Sequence, residues 1–331
     1  MFDDKSILIT GGTGSFGRRF VKTVLTRFKP KRLIVYSRDE LKQYEMQQEI
    51  QSAALRYFIG DIRDGDRLTQ AMRGVDLVVH AAALKQVPAA EYNPMECIKT
   101  NVHGAENVIA AALDNDVEKV IALSTDKAAS PVNLYGATKL VSDKLFVAAN
   151  NMTGKHRTRF AVVRYGNVVG SRGSVVPYFQ KLIDRGDRDL PVTDARMTRF
   201  WITLDQGVAF VLAGFERMRG GEIFIPKIPS VRILDLVESM RPGTKPRFIG
   251  VRPGEKIHEV MVTADDAIKT LEFDDHYVIQ PSIVFITPVD YRSNARGESG
   301  RPVAEGFEYN SGTNPLFLTP AEIRGLHGGA A

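Results

Sequence analysis

This chain is poor in cysteine, in clusters of metal-ligating residues and in long apolar runs. Its 331 residues include one cysteine, Cys97, which excludes an internal disulfide, and its six histidines lack the spacing of a metal site. No uninterrupted apolar run reaches the roughly 18 residues of a membrane span. The acidic start MFDDKSILITGG does not resemble a signal peptide. We therefore expect a cytoplasmic protein that binds neither a metal nor a membrane.

Charge of one sign is not concentrated anywhere in the chain. It has 44 Lys and Arg against 39 Asp and Glu, a formal charge of +5, with no long run of either sign. We expect no nucleic-acid partner, because such partners need clustered basic residues. An anionic small molecule remains compatible with this mild positive charge.

Short β-branched runs alternate with helix-length amphipathic segments in the first half of the chain. The runs SILIT, RLIVY, RYFIG, DLVVHAA, KVIALS and RFAVVRY are typical of buried strands. This alternation predicts an α/β fold with a Rossmann-type doubly wound parallel sheet, covered by helices on both faces. Beyond Gly166 the elements shorten and loops break them, which predicts a smaller C-terminal substrate-binding lobe.

These changes of pattern divide the chain into three parts. We assign residues 1–166 to the Rossmann domain and 167–310 mainly to the lobe, with some segments returning to the Rossmann sheet. Residues 311–331 are assigned to a tail. The segment 291–314, rich in Gly, Asn and Ser, is expected to be long and loosely ordered.

A glycine-rich loop, TGGTGSFGRRF, follows the first strand directly. Its glycines Gly11, Gly14 and Gly17 are spaced as GxxGxxG, which allows a tight turn and a close approach to a pyrophosphate at the next helix's N-terminus. Strand, loop, helix and second strand follow in the order of a dinucleotide-binding unit. The predicted cofactor contacts in this loop are Gly11, Thr13, Gly14, Ser15, Phe16 and Gly17.

The end of the second strand discriminates between the two dinucleotides. Ser37 and Arg38 come first and Asp39 follows them; a hydroxyl and a guanidinium suit a 2′-phosphate, whereas a carboxylate repels it. NADP is therefore favoured, and NAD stays open. The further predicted cofactor contacts are Ser37, Arg38, Asp39, Lys42, Asp61, Ile62, Ala81, Ala82, Lys85 and Val168.

A tyrosine and a lysine stand four residues apart in NLYGATK. On a helix, Tyr135 and Lys139 share one face. A phenol with a reference pKa of about 10 becomes a useful base only beside positive charge, such as an ammonium and an oxidised nicotinamide. The pair therefore predicts redox chemistry at an alcohol carbon, with Lys139 also holding the nicotinamide ribose. Both residues are predicted cofactor contacts.

The glycine loop and the Tyr-Lys pair together resemble the extended short-chain dehydrogenase/reductase superfamily. This resemblance implies a Rossmann domain followed by a substrate lobe. It also implies a Ser or Thr just before the catalytic helix that binds the reacting hydroxyl, and Ser124 and Thr125 hold that position.

The neighbours Asp126 and Lys127 are surplus to a simple dehydrogenase or 4-epimerase. With the blocks STDKAASP, SRDELKQ, RYGNVVGSRGSVVP, MTRFW and RPGEKIHE, they closely resemble the inverting UDP-N-acetylglucosamine 4,6-dehydratases. The similarity extends from about Asp4 to about Tyr309. Retaining enzymes of the wider group carry Asp-Glu where this chain has Asp-Lys.

The resemblance implies a lyase that uses NADP without net redox change. Tyr135 would deprotonate the C4 hydroxyl, Lys127 would abstract the C5 proton, and Asp126 would protonate the departing C6 oxygen. The implied product is UDP-2-acetamido-2,6-dideoxy-β-L-arabino-hexos-4-ulose, the first intermediate of pseudaminic acid-type synthesis. The predicted catalytic residues are Thr125, Asp126, Lys127, Tyr135 and Lys139.

The resemblance also supplies candidate substrate contacts and an assembly state. The predicted substrate contacts are Lys85, Thr125, Asn167, Arg199 and Arg252. Relatives form dimers and hexamers, so a homo-oligomer is expected. A 4-epimerase and a retaining 4,6-dehydratase remain the alternative activities.

The assigned roles of Asp126 and Lys127 conflict with their charges, because the acid must carry a proton that the base must lack. Desolvation in a closed site penalises both ions and favours proton transfer from Lys127 to Asp126. We therefore expect a base pKa well below the lysine reference of about 10.

Overall fold

A computed structural model of the chain describes residues 1–171, 173–187, 189–283 and 289–328. In chain order its strands are β1 (Ser6–Thr10), β2 (Arg32–Ser37), β3 (Leu55–Ile59), β4 (Leu77–His80), β5 (Lys119–Thr125), β6 (Arg159–Tyr165), β7 (Asn167–Val168), β8 (Pro191–Val192), β9 (Thr198–Ile202), β10 (Ile223–Pro226), β11 (Ser230–Arg232), β12 (Arg247–Phe248), β13 (Val260–Val262), β14 (Thr270–Glu272), β15 (His276–Ile279), β16 (Arg301–Pro302) and β17 (Tyr309–Asn310).

Helices connect most of these strands. They are α1 (Ser15–Arg27), α2 (Glu40–Glu49), α3 (Gly65–Ala71), α4 (Val87–Tyr92), α5 (Pro94–Ile98), α6 (Gly104–Asp114), α7 (Leu134–Ala149), α8 (Val175–Asp184), α9 (Leu204–Arg217), α10 (Ile233–Met240) and α11 (Pro320–Gly328). A π-helical turn, Lys99–His103, joins α5 to α6, and a 3-10 turn, Asp126–Ala128, precedes α7. Within the described ranges, no helix is long and apolar enough to cross a membrane.

The central sheet has the order β16-β14-β15-β10-β6-β5-β4-β1-β2-β3. The strands from β3 to β10 in this order are parallel, whereas β15, β14 and β16 extend the sheet by antiparallel pairing. The chain changes direction across the sheet between β1 and β4, which is where doubly wound folds bind ligands. The predicted Rossmann-type fold is thus confirmed.

The central parallel strands are mostly apolar because helices cover both faces of the sheet. Every residue of β1 and β4 is buried. A separate apolar cluster lies in the second half of the chain, around Phe179, Trp201 and Leu236. The lobe therefore has its own core, while β10, β14, β15 and β16 return from it to the Rossmann sheet.

The expectation of a loosely ordered segment at 291–314 is wrong for this structure. Tyr291 and Tyr309 are buried, and the Tyr309 hydroxyl donates to the Ile228 carbonyl and accepts from the Ile228 amide. Apolar burial and satisfied polar groups fix a segment whose composition alone suggests a coil.

The part of the chain assigned to a tail packs against the lobe. Ser311 is fully buried, Asn314 donates to the Ile228 carbonyl, and Ile323 of α11 belongs to the lobe core. Residues 329–331 of the assigned tail lie outside the described residues.

Candidate active site

A cavity of about 610 Å³ opens at the carboxyl ends of the parallel strands. The turns after β1, β3, β4 and β6 and the ends of β2 and β5 all contribute to its walls. Of the predicted site residues it is lined by Gly11, Thr13, Gly14, Ser15, Phe16, Gly17, Ser37, Arg38, Asp39, Lys42, Asp61, Ile62, Ala81, Ala82, Lys85, Thr125, Asp126, Lys127, Tyr135, Lys139, Asn167 and Val168. The fold therefore brings the two predicted sites into one space.

The glycine loop is packed so closely that side chains do not fit. Gly11 has φ +65°, and a Cβ there would lie 2.9 Å from the Ala82 Cα; a Cβ on Gly17 would lie 2.4 Å from the Gly12 carbonyl oxygen. The N-cap of α1 is Gly14, which has no side chain to cap the helix. Backbone and helix N-terminus thus face the cavity, as a pyrophosphate requires.

Directly after β2, Arg38 and Asp39 both lie on the cavity wall, and the Asp39 carboxylate is paired there with Lys42. The Asp39 carboxylate caps α2 by accepting from the Lys42 amide, and it forms an ion pair with the Lys42 ammonium. Arg38 lies half-exposed, with Nη1 3.4 Å from Asp61 Oδ2. This arrangement leaves the Arg38 guanidinium on the cavity wall and reduces the negative charge that Asp39 presents.

The Tyr-Lys pair lies on the first turns of α7. Asn133 caps this helix by accepting from the Gly136 amide. A Cβ on Gly136 would lie 2.2 Å from the Lys127 carbonyl oxygen, so glycine lets the helix pack directly against the 3-10 turn. This contact places Tyr135 beside Asp126 and Lys127.

The phenol of Tyr135 is buried and hydrogen-bonded to Thr125. Burial raises the pKa of Tyr135 to about 12, although the positive charge of Lys127 and the Thr125 hydrogen bond act in the lowering direction. Lys127 is thus the leading cation that lowers the pKa of Tyr135. Lys139 is itself buried, and burial lowers its pKa below the ordinary value.

Lys127 lies between two buried carboxylates. Its ammonium is 3.0 Å from Asp126 Oδ1 and 3.2 Å from Glu259 Oε1. Burial acts to lower the pKa of Lys127, but the negative charges of Asp126 and Glu259 outweigh it and hold the pKa above its ordinary value. The low apparent base pKa expected for the reaction concerns the closed site and stays a prediction. In the arrangement seen here, Asp126 and the second carboxylate, Glu259, favour the ammonium form of Lys127.

Glu259 is the site residue that sequence reasoning missed. It is the last residue of the block GEKIHE and directly precedes β13. The only signal was its presence in a block that resembles known enzymes; its contact with Lys127 depends on the chain folding back across the site. Nothing in the local spacing indicates that contact.

The hydroxyls of Ser124 and Thr125 have different partners. The Ser124 hydroxyl donates to Asp143 Oδ2 at 2.7 Å, whereas Thr125 contacts Tyr135 and donates to Asp126 Oδ1 at 2.9 Å. Thr125 is therefore the hydroxyl at the reacting end of the cavity. Ser124 belongs to a buried network behind it.

Besides Thr125, the predicted substrate contacts Lys85 and Asn167 line the cavity. Lys85 lies on its wall, where partial burial, and secondarily the charge of Lys127, lower the pKa of Lys85. Asn167 Oδ1 is buried and has no hydrogen-bond partner among the described residues. Both side chains have capacity left for a polar ligand.

The two predicted arginine contacts lie elsewhere. Arg199 is buried and its guanidinium donates to the carbonyls of Lys256 and Ile257 at 3.0 and 3.1 Å, with Nε 3.7 Å from Glu259 Oε1. Its donors thus hold the chain that carries Glu259. Arg252 is exposed, forms an ion pair with Glu255, and does not line the cavity.

The sequence matches the model of one protein family, described as "Polysaccharide biosynthesis protein", over residues 7–281. A relative from Campylobacter jejuni named UDP-N-acetylglucosamine 4,6-dehydratase (inverting) is 61% identical over 98% of this chain and 97% of its own length. A relative from Rickettsia canadensis named UDP-glucose 4-epimerase is 45% identical over 84% of each chain.

Solved structures share the fold. Pen from Bacillus thuringiensis superposes with a TM-score of 0.89 at 38% identity, covering 100% of this chain and 99% of that one. DesIV from Streptomyces venezuelae, a dTDP-glucose 4,6-dehydratase with NAD bound, superposes with a TM-score of 0.67 at 25% identity. The alignment with DesIV covers 76% of this chain and 86% of that one.

Proposed function

Since the chain belongs to the polysaccharide biosynthesis protein family, we propose that it is an inverting UDP-N-acetylglucosamine 4,6-dehydratase that uses NADP. The proposal depends on one observation: Tyr135 and the Asp126–Lys127 pair line the same cavity as the glycine loop, residues 11–17, which we call the dinucleotide cradle. A simple redox enzyme needs only Tyr135 as its base. An elimination also needs a second base and an acid, which Lys127 and Asp126 provide.

The cradle residues fit the pyrophosphate of a dinucleotide, and Arg38 with Ser37 fits a 2′-phosphate at its ribose. NADP is favoured because Asp39 is engaged at the start of α2. A nicotinamide held by Lys139 would supply a hydride acceptor for C4, a hydride donor for C6, and a positive charge that lowers the pKa of Tyr135.

Tyr135 and Thr125 act on the C4 hydroxyl of the sugar. Thr125 lies beside the phenol, so a substrate hydroxyl that replaces their direct contact could accept from Thr125 and donate its proton to Tyr135. Tyr135 accepts that proton as C4 becomes a carbonyl. The carbonyl acidifies the neighbouring C5–H bond.

Asp126 and Lys127 then carry out the elimination. Lys127 passes a proton to Asp126 Oδ1 across their 3.0 Å contact, which gives a neutral amine beside a carboxylic acid. The amine takes the C5 proton, the C–H electron pair forms the C5–C6 double bond, and the C6 hydroxyl leaves with the proton of Asp126 as water. The pair ends as ammonium and carboxylate. Hydride delivered to C6 would move the electron pair of the C5–C6 double bond to C5, which would take a solvent proton on the opposite face; this inverts C5 and gives the 4-keto-6-deoxy-L-arabino sugar of a pseudaminic acid-type route.

Lys85 and Asn167 are proposed as contacts for the sugar and diphosphate. Lys85 offers a positive charge and the unpartnered Oδ1 of Asn167 offers an acceptor for a sugar hydroxyl. Arg252 is proposed to bind phosphate from the exposed rim, which requires it to leave Glu255.

Incubation with UDP-N-acetylglucosamine in deuterium oxide tests the proposal. The expected product has lost one water and carries deuterium at C5. In Lys127→Met, water loss should fall by roughly a hundredfold or more, the usual contribution of a general base. The exposed Lys144 on α7 provides the control Lys144→Met, which should retain wild-type rates.

The Rickettsia relative makes a 4-epimerase the specific alternative. An epimerase would return a product of unchanged mass, and Lys127→Met would leave its rate largely intact. Either result would replace the dehydratase assignment. A product with the original C5 configuration would instead indicate a retaining dehydratase.

A further inference from the structure

Two buried carboxylates share one ammonium at this site, although the elimination requires only one acid and one base. Asp126 and Glu259 are 1% and 2% exposed. Each carboxylate contacts the Lys127 ammonium through one oxygen. The second oxygen, Asp126 Oδ2 or Glu259 Oε2, is buried without a hydrogen-bond partner in the part of the chain that the structure describes. A buried carboxylate that lacks full hydrogen bonding destabilises a protein, so Glu259 needs another reason to be there.

The backbone of Glu259 is fixed from the far end of the chain. Its amide donates to Ser311 Oγ at 2.9 Å, and the Ser311 amide donates to the Glu259 carbonyl at 2.8 Å. Ser311 Oγ is also hydrogen-bonded to Thr198 Oγ1 at 2.7 Å. The antiparallel pairing of the short strands β13 and β17 continues directly from these hydrogen bonds. The carboxylate is thus presented to Lys127 from a rigid support.

Charged and titratable groups from several elements face Lys127. Asp126 and Glu259 favour its ammonium, whereas Arg199 on β9 opposes it. Lys85, Tyr135 and Lys256 interact electrostatically with Lys127 as well. Counting Asp126, Lys127, Glu259 and Arg199 as ionised, the inner cluster carries no net charge. Without Glu259 it would carry one uncompensated positive charge in a buried site.

We propose that Glu259 is a positioning residue that holds the Lys127 amine in place and supplies the anion beside Lys127 as it takes the C5 proton and becomes an ammonium. This inference rests on the proposed dehydratase activity. In a two-residue pair, protonating Asp126 would remove the only anion beside Lys127 and weaken the base when it must attack C5–H. A third residue separates the two tasks: Asp126 exchanges protons, and Glu259 keeps Lys127 basic and fixed.

The direct test measures the protonation of Lys127 without any turnover. Protein containing lysine labelled with ¹³C at Cε is titrated by NMR, and the Lys127 signal is identified by its loss in Lys127→Met. In Glu259→Gln, we expect the Lys127 titration to move down by about 1–3 pH units relative to wild type, the usual effect of one nearby opposite charge. Unchanged behaviour of Lys127 in the two proteins would overturn the proposal.

Kinetics supply a second readout. Glu259→Gln should lower kcat for water loss at least about tenfold and displace its pH profile, with little change in KM, because Glu259 does not touch substrate in this proposal. The matched control is Glu272→Gln on β14, which pairs with Lys227 at 3.0 Å outside the cavity. It should leave both the Lys127 titration and kcat unchanged.

The variant Glu259→Asp tests whether a folding defect could explain the result for Glu259→Gln. Glu259→Asp keeps the charge and withdraws it from Lys127, so the Lys127 titration should fall between those of wild type and Glu259→Gln. A value outside that interval contradicts the proposal. If the wild-type protein removes no water, the dehydratase assignment fails, whereas the Lys127 titration still decides the role of Glu259 as its counter-anion.

Discussion

The hydroxyl of Ser124 donates to Asp143 Oδ2 at 2.7 Å, and the same oxygen accepts from Arg164 Nη2 at 3.1 Å. Arg164 also donates to the Met261 carbonyl at 2.9 Å, which ties β6 to β13. All three side chains are buried. This network supports the floor of the catalytic turn from the cavity wall, where Ser124 lies. Because the Ser124 hydroxyl is bonded to Asp143, the hydroxyl beside Tyr135 is that of the next residue, Thr125.

Removal of the Asp143 carboxylate should destabilise the protein strongly. Asp143→Ala leaves the Arg164 guanidinium buried without its counter-ion, and we expect the free energy of unfolding to fall by about 3–5 kcal/mol. Ser124→Ala removes one hydrogen bond and should cost only about 0.5–1.5 kcal/mol. Chemical denaturation measures both variants. Equal, small losses would contradict the view that Asp143 compensates a buried charge.

The glycine loop gives a prediction about cofactor binding. Gly17→Ala forces a Cβ toward the Gly12 carbonyl oxygen, at 2.4 Å unless the backbone moves, so the helix N-terminus must shift away from the loop. We expect loss of NADP binding, measured by fluorescence titration. Gly207→Ala on α9 is the control, because a Cβ there meets nothing within 4 Å among the described atoms. If Gly17→Ala binds NADP as tightly as wild type, the glycine loop is not the cofactor-binding site.

The sequence was sufficient for the features that depend on local period and spacing. Alternating buried strands and amphipathic helices predicted the Rossmann sheet, and the four-residue interval placed Tyr135 and Lys139 on one helix face. The position of Glu259 could not be predicted in this way. It depends on the two short strands β13 and β17 and on hydrogen bonds to Ser311, which no local pattern encodes.

Long-range contacts also explain why the expectation of a loosely ordered segment at 291–314 was wrong. Glycine, asparagine and serine are typical of coil, but Tyr291 donates to the Gly220 carbonyl at 2.7 Å and Tyr309 packs on Phe200 with ring centroids 4.6 Å apart. Long-range burial of two aromatic side chains outweighs the local preference for coil. Arg199 shows the converse: its residue type suited a phosphate, but backbone carbonyls take its donors.

Arg38 should determine the preference for NADP over NAD. Its loss in Arg38→Ala removes a charge-assisted contact of about 1.5–3 kcal/mol, so NADP should bind roughly ten- to a hundredfold more weakly while the Kd for NAD changes little. Arg63→Ala is a matched control, because Arg63 pairs with the same carboxylate of Asp61 at 2.8 Å but does not line the cavity. Equal Kd values for NADP in wild type and Arg38→Ala would leave the 2′-phosphate without its proposed partner.

His80 should make stability fall at acid pH. It is buried at the end of β4 and hydrogen-bonded to Thr10 at 2.9 Å; burial, and secondarily the charge of Lys139, lower the pKa of His80 to about 3. A lowered histidine pKa means that the unfolded chain, with an ordinary value of about 6.5, takes up a proton that the folded chain does not. The stabilisation from neutral His80 is thus fully present above pH 6.5 and is lost as the pH falls toward 3.

We therefore expect the free energy of unfolding to decline between pH 6.5 and 4.5 with a contribution of up to about 1.4 kcal/mol per pH unit from His80. His80→Gln cannot take up this proton, so it should be less stable than wild type at pH 7 but should show a shallower decline. The exposed His103 gives the control His103→Gln, which should follow the wild-type curve. Parallel curves for wild type and His80→Gln would show that another buried group causes the acid sensitivity.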